Sequence, residues 1–86
     1  MTSASAAERV ESRRTELFDL AERLVGYDTT NPPGDTRAML EAVASSLASA
    51  GVETRRVAAD ARKPNLLASV PGRRDETVLF LGHVDT

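Results

Sequence analysis

The stretch Thr77-Val78-Leu79-Phe80-Leu81-Gly82-His83-Val84-Asp85-Thr86 decides the fold that the sequence predicts. Its first half, Val78–Leu81, is a continuous apolar run of strand-forming residues. A run this short, without alternating polar residues, is typical of a strand that is buried on both faces of a sheet. Gly82 ends the run too early for a helix. We therefore predict a buried strand at Val78–Leu81, with two polar residues of chemical interest, His83 and Asp85, just beyond its carboxyl end.

The carboxyl end of a buried strand is where α/β proteins usually place their ligands. His83, the single histidine of the chain, and Asp85 form an H-x-D pair at that position. Residues i and i+2 of an extended chain point to the same side, about 6.5 Å apart, so the carboxylate can accept the N–H of the imidazole. The other ring nitrogen then faces outward and unprotonated, as in a zinc-binding histidine oriented by a carboxylate. For the pair taken alone, a structural or surface histidine is the favoured interpretation, and the position of the pair after a buried strand makes the two interpretations about equal.

The rest of the chain predicts two helices and two further strands. Apolar residues at helical spacing indicate one helix at about 8–25 and a second at about 36–50. Strand patterns follow at 52–57 and 65–70, and turn-forming residues at 71–76 join the second of these to Val78–Leu81 as antiparallel strands. The predicted class is therefore α/β, in the order helix, helix, strand, strand, strand. Residues 1–7 are predicted to be a disordered tail, and residues 8–86 to form one domain.

A stiff polar loop separates the two predicted helices: Tyr27-Asp28-Thr29-Thr30-Asn31-Pro32-Pro33-Gly34. The two prolines fix their own backbone angles, and the first of them restricts Asn31 to an extended conformation. The loop has two interpretations, as a simple connector or as the rim of a site. Spacing alone favours the connector.

Composition excludes several classes of protein. A net charge of -2 with mixed signs along the chain argues against a dedicated nucleic-acid binder. The absence of cysteine excludes disulfides and thiolate metal sites. No stretch approaches the roughly 20 apolar residues of a membrane span, and the first residues lack the features of a secretory signal. We therefore expect a cytoplasmic protein. Motifs of serine hydrolases, P-loop proteins, dinucleotide-binding proteins and H-E-x-x-H proteases are absent from the sequence.

Three segments together resemble the N-terminal end of M20-family metallopeptidases: 24–34, 65–72 and 78–86. This group includes acetylornithine deacetylases, succinyl-diaminopimelate desuccinylases, aminoacylases and glutamate carboxypeptidases. The resemblance implies a three-layer αβα catalytic domain that holds a pair of zinc ions, or cobalt in some members. It implies that His83 is a metal ligand and that Asp85 is the catalytic-site aspartate that orients it. The implied reaction is hydrolysis of an amide bond in an N-acyl amino acid or small peptide, with a glutamate as general base.

The family pattern also requires ligands that this sequence does not assign. These are a bridging aspartate, a pair of glutamates, a further carboxylate and a second histidine, all downstream of the H-x-D motif. We therefore expect this chain to be the N-terminal part of a metallohydrolase catalytic domain, truncated after the first metal motif. Alone, it is expected to bind zinc weakly or not at all and to be inactive. The substrate within the amide class is left open.

A strand as apolar as Val78–Leu81 needs neighbours on both sides and helices on both faces, and this chain supplies few of them. We therefore expect exposed apolar surface and an open sheet edge, which would permit self-association. The alternative function, from a different class, is a small non-catalytic α/β module that binds a protein partner through that edge.

Overall fold

The computed structural model describes residues 4–86 and has three helices followed by a two-stranded antiparallel sheet. The elements are α1 (Ala6–Ser12), α2 (Arg14–Val25), α3 (Arg37–Ser49), β1 (Thr54–Val57) and β2 (Asn65–Ala68). In the sheet, Thr54 lies opposite Ala68 and Val57 lies opposite Asn65. The chain is therefore a small α/β protein with one helix more and one strand fewer than predicted.

The predicted first helix forms as two separate helices. Ser5 caps α1, because its Oγ accepts a hydrogen bond from the backbone N–H of Glu8 at 3.1 Å and donates one to the Glu8 carboxylate at 3.1 Å. The helix consequently begins at Ala6, inside the segment predicted as a disordered tail; residues 1–3 of that segment lie outside the described residues. Arg13, with φ -112° and ψ 23°, separates α1 from α2. No glycine or proline lies there, so local sequence does not predict the break.

Helix α3 forms where the sequence predicted it, and a glycine ends it. Gly51 has φ +80°, a left-handed conformation that residues with a Cβ rarely adopt. Its N–H donates to the carbonyl of Ala48 at 2.9 Å, and the N–H of Val52 donates to the carbonyl of Leu47 at 2.9 Å. These two bonds form a Schellman motif, which satisfies carbonyls that the end of a helix would otherwise leave without partners.

Substituting Gly51→Ala should lower the free energy of unfolding by about 1 kcal/mol, because the new Cβ is disfavoured at positive φ. A Cβ at this position meets no atom within 4 Å, so the expected cost is conformational and not steric. Urea unfolding followed by circular dichroism measures it. The matched control is Gly72→Ala, at a glycine that also has open space around it but no positive φ. Equal unfolding midpoints for the two variants would contradict the prediction.

The strand predicted at Val78–Leu81 is not formed, which corrects both the predicted strand order and the predicted antiparallel connection at 71–76. The four side chains are 78%, 81%, 91% and 92% exposed. Within residues 4–86, no strand lies beside this run to pair with its backbone groups. A strand depends on a neighbouring backbone for its hydrogen bonds, so an apolar run without that neighbour has no ladder to join. The predicted three-layer αβα arrangement is likewise not seen in the described chain.

The core of the described chain is small. Leu40 in α3 is the one apolar side chain of residues 4–86 that is buried, at 7% exposure. Its neighbours on the predicted stripe of α3, Val43, Ala44 and Leu47, are half-buried. The radius of gyration is 15.2 Å, compared with about 12 Å for a compact domain of this length. The chain therefore leaves much of its apolar surface uncovered, including Phe18 on α2, which is 61% exposed.

Among the helices described for residues 4–86, none combines the length and apolarity that crossing a membrane requires.

Candidate functional site

His83 faces Asp85, as the H-x-D spacing predicted. The Nδ1 atom of His83 lies 3.0 Å from Oδ1 of Asp85 and 3.1 Å from the Asp85 backbone carbonyl oxygen. Both of these atoms are hydrogen-bond acceptors, so Nδ1 must carry the proton. In the neutral ring, Nε2 is then the unprotonated nitrogen. The His83 side chain is 84% exposed, which places the ring in solvent and not among packed apolar groups.

The Asp85 carboxylate is engaged through both of its oxygens. While Oδ1 accepts from His83, Oδ2 accepts a hydrogen bond from Nδ2 of Asn31 at 3.1 Å. The hydrogen bond with His83 first, and then the one from Asn31, hold the pKa of Asp85 below its ordinary value. Asp85 is therefore ionised at neutral pH. Its carboxylate lies between the imidazole of His83 and the amide of Asn31 and accepts a hydrogen bond from each.

The loop at residues 27–34, here called the Asn31 loop, lies against residues 83–86, here called the His-x-Asp segment. The hydroxyl of Thr29 donates to the carbonyl of Val84 at 2.8 Å, and Thr29 is only 4% exposed. The N–H of Asn31 donates to the carbonyl of Thr86 at 2.6 Å, and the N–H of Thr86 donates to the carbonyl of Thr29 at 3.0 Å. The two backbone bonds lie on either side of Thr30, as in a pair of parallel strands. The Asn31 loop thus holds the His-x-Asp segment through backbone as well as side-chain contacts.

Local interactions give the Asn31 loop its shape. The carboxylate of Asp28 accepts the backbone N–H of Thr30 at 3.1 Å, an Asx turn that also lowers the pKa of Asp28. The N–H of Gly34 donates to the carbonyl of Thr30 at 2.8 Å. Gly34 has φ +71°, and a Cβ on it would lie 3.3 Å from both Cβ and Cγ of Asn31. A glycine at this position therefore leaves room for the Asn31 side chain.

The Asn31 loop is anchored where it enters α3. The guanidinium of Arg37 donates to the two oxygens of Asp35 at 3.1 and 2.7 Å. This paired contact holds the pKa of Asp35 below its ordinary value. The N–H of Thr36, which is 6% exposed, donates to the carbonyl of Arg62 in the connection between β1 and β2 at 3.0 Å. The exit of the loop is therefore fixed relative to the sheet.

The two residues that the sequence predicted as a pair, His83 and Asp85, are brought together. The loop between α2 and α3 is more than a connector in one respect, because it contacts the predicted pair and its neighbour Val84. Sequence reasoning assigned no role to Thr29 and Asn31. The available signal was their position in a polar, proline-stiffened loop that also carries the family resemblance. The contact itself spans 54 residue positions, so no local pattern contains it.

The described residues can supply part of a metal site. Nε2 of His83 is free and exposed, and it has the chemistry of one zinc ligand. Both oxygens of Asp85 are engaged with other groups. Within residues 4–86 no three histidine, cysteine, aspartate or glutamate residues are placed to hold a metal ion together. The donor set therefore fits one coordination position of a zinc site. A shallow groove of about 1110 Å³ along α1 and α2 includes neither residue of the pair.

Comparison of the chain with protein-family models found no match, and comparisons with curated proteins and with solved structures also found none.

Proposed function

We propose that this chain supplies one zinc ligand, and the carboxylate that orients it, to a zinc-dependent amidohydrolase of the M20 type. The ligand is Nε2 of His83 and the orienting residue is Asp85. The observation that carries the proposal is the 3.0 Å contact between Nδ1 of His83 and Oδ1 of Asp85, on a ring whose other nitrogen faces solvent. The resemblance of three sequence segments to M20 metallopeptidases gives the proposal its reaction class.

The residues of this chain have distinct roles in the proposed site. In its neutral form His83 would bind the metal through the lone pair of Nε2, which a protonated imidazole does not offer. Asp85 keeps the proton on Nδ1 and raises the basicity of the ring, as carboxylates do for zinc-bound histidines. Zinc, or cobalt, would supply polarisation of the scissile carbonyl and activation of water. The proposed substrates are amides of N-acyl amino acids or small peptides, and the proposed location is the cytoplasm.

The proposed site needs ligands beyond those of residues 4–86. Zinc sites in proteins take about four ligands, and a catalytic site takes about three of them from protein. One imidazole binds the metal weakly, so the remaining ligands and the glutamate base must come from residues outside these 86 or from another chain. We accordingly propose that the 86-residue chain alone does not hydrolyse amides. Turnover of N-acyl amino acids by this chain with zinc or cobalt would contradict that part of the proposal.

Zinc titration of the isotope-labelled chain, monitored by NMR of the single histidine ring, tests the proposed ligand. We expect zinc to move the Nε2 resonance of His83, and we expect the His83→Gln variant to lose the zinc response of the 83–86 amides. Asp75→Asn is the matched control, since it removes an exposed carboxylate outside the site and should leave that response unchanged. A zinc response centred on other residues, or none at all, would count against the proposal.

A second candidate function rests on a different observation. The apolar run Val78–Leu81 is almost fully exposed, and the sheet of β1 and β2 has open edges. Both features suit a non-catalytic module that binds a protein partner or a second copy of this chain. Two results together would favour this second function over the hydrolase proposal. One is the absence of a zinc response at His83, and the other is slower hydrogen exchange of the 78–81 amides at raised chain concentration.

A further inference from the structure

We propose that Asn31 is a positioning residue for His83. Asn31 fixes the Asp85 carboxylate so that Nδ1 of His83 carries the ring proton and Nε2 is free for zinc. The role of Nε2 as a ligand rests on the proposed function. The hydrogen-bond part, from Asn31 through Asp85 to His83, stands on the geometry of the described residues alone.

Hydrogen bonds, and not packing, hold the ring of His83. The ring is 84% exposed, so packing does little to set its orientation. Its Nδ1 has contacts with the side chain and the backbone carbonyl of Asp85. The terminal torsion of an aspartate is broad, so a carboxylate held at one oxygen still rotates. The donation from Nδ2 of Asn31 to Oδ2 at 3.1 Å restrains this rotation and keeps Oδ1 directed at the imidazole.

Asn31 can restrain Asp85 because Asn31 is itself restrained. Its backbone N–H donates to the carbonyl of Thr86, one residue beyond Asp85, at 2.6 Å. The buried hydroxyl of Thr29 holds the carbonyl of Val84, one residue before Asp85. The backbone on both sides of Asp85 is therefore tied to the loop that carries the amide. Because these bonds already order the backbone, the Asn31 amide can bond the Asp85 carboxylate at little further cost in conformational entropy.

The chemistry of the contact requires an amide at position 31. Oδ2 of Asp85 accepts hydrogen bonds, and the NH₂ group of Asn31 is the donor that reaches it. An aspartate at position 31 would have nearly the same shape but would place two carboxylates in contact, and like charges at this distance repel. An alanine would remove the donor without adding charge. These two substitutions separate the hydrogen bond from the shape of the side chain.

The test is the tautomer of His83 in the full 86-residue chain, measured by nitrogen NMR of the labelled ring at a pH where the ring is neutral. We expect the Nδ1–H tautomer to predominate in the wild-type chain. In Asn31→Asp and in Asn31→Ala we expect a shift toward the Nε2–H tautomer. Thr30→Ala is the matched control, because it truncates a neighbouring exposed residue that is not among the hydrogen-bond partners of the Asp85 carboxylate, and it should retain the wild-type tautomer. Circular dichroism of each variant reports whether the helices persist.

Zinc titration of the same samples separates this proposal from the proposed function. We expect zinc to bind His83 about tenfold more weakly in the Asn31 variants, the lower limit of the effect of groups that orient metal-bound histidines. A wild-type ring in the Nε2–H tautomer, or tautomers that are equal in wild type and both Asn31 variants, would overturn the positioning role. A tautomer shift without any zinc binding would support the positioning role and contradict the metal-ligand function.

Discussion

Substituting Leu40→Ala should lower the free energy of unfolding by about 2–3 kcal/mol, near the lower limit measured for truncation of a buried leucine. Leu40 is the apolar side chain at the centre of the small core, at 7% exposure. Its truncation removes buried apolar surface, and the half-buried neighbours Val43, Ala44 and Leu47 can close only part of the space. Small domains have a small free energy of unfolding, so this single change should remove a large fraction of it.

Urea unfolding followed by circular dichroism measures the Leu40 effect. The matched control is Leu17→Ala, the same chemical change on α2 at a side chain that is 51% exposed. Because Leu17 is already half in water, its truncation should cost well under half as much. If the two variants unfold at the same urea concentration, then Leu40 does not organise the core and the arrangement of α3 on the sheet is in doubt.

Substituting Thr29→Val should release the His-x-Asp segment from the Asn31 loop. Valine keeps the shape of threonine but removes the hydroxyl that donates to the carbonyl of Val84 at 2.8 Å. This hydrogen bond is part-buried, so its loss leaves the carbonyl of Val84 without that partner at a cost near the lower end of the range of about 1–3 kcal/mol for buried groups. The backbone bonds that join Thr86 to Asn31 and to Thr29 lie next to this hydroxyl, so they should open more often.

Amide hydrogen exchange measures this release at the N–H groups of Asn31 and Thr86. We expect exchange at both to become about tenfold faster in the valine variant, which corresponds to about 1.4 kcal/mol. Thr30→Val is the matched control, because Thr30 is the exposed neighbour and its side chain hydrogen-bonds Asp28 of the same loop and not the His-x-Asp segment. Unchanged exchange in Thr29→Val, or equal acceleration in both variants, would show that the Thr29 hydroxyl does not hold the segment.

Local sequence patterns predicted α3, β1 and β2 correctly. Helix α3 lies at Arg37–Ser49 within the predicted range 36–50, and Gly51 ends it as a glycine at that position should. Strands β1 and β2 lie inside their predicted ranges, although both are shorter. The break at Arg13 was missed because neither the spacing of apolar residues nor any helix-breaking residue marks it.

The apolar run at Val78–Leu81 was predicted wrongly for a physical reason. Its composition favours a buried strand, but composition does not supply a neighbouring backbone. In the described chain the sheet contains β1 and β2 only, and the run is exposed at 78–92%. A prediction of strand from hydrophobicity assumes a partner, and this assumption failed here.

The sequence by itself determined the contact between His83 and Asp85, because residues two positions apart in an extended chain face the same side and the carboxylate is an acceptor for the ring. It also determined that the loop before α3 would be stiff and polar. Only the tertiary structure decided that Thr29 and Asn31 of that loop would hold the pair, since those hydrogen bonds join positions 54 or 55 residues apart. Bonds of that range depend on how α3 and the sheet arrange the chain between them, and no local pattern of residues specifies that arrangement.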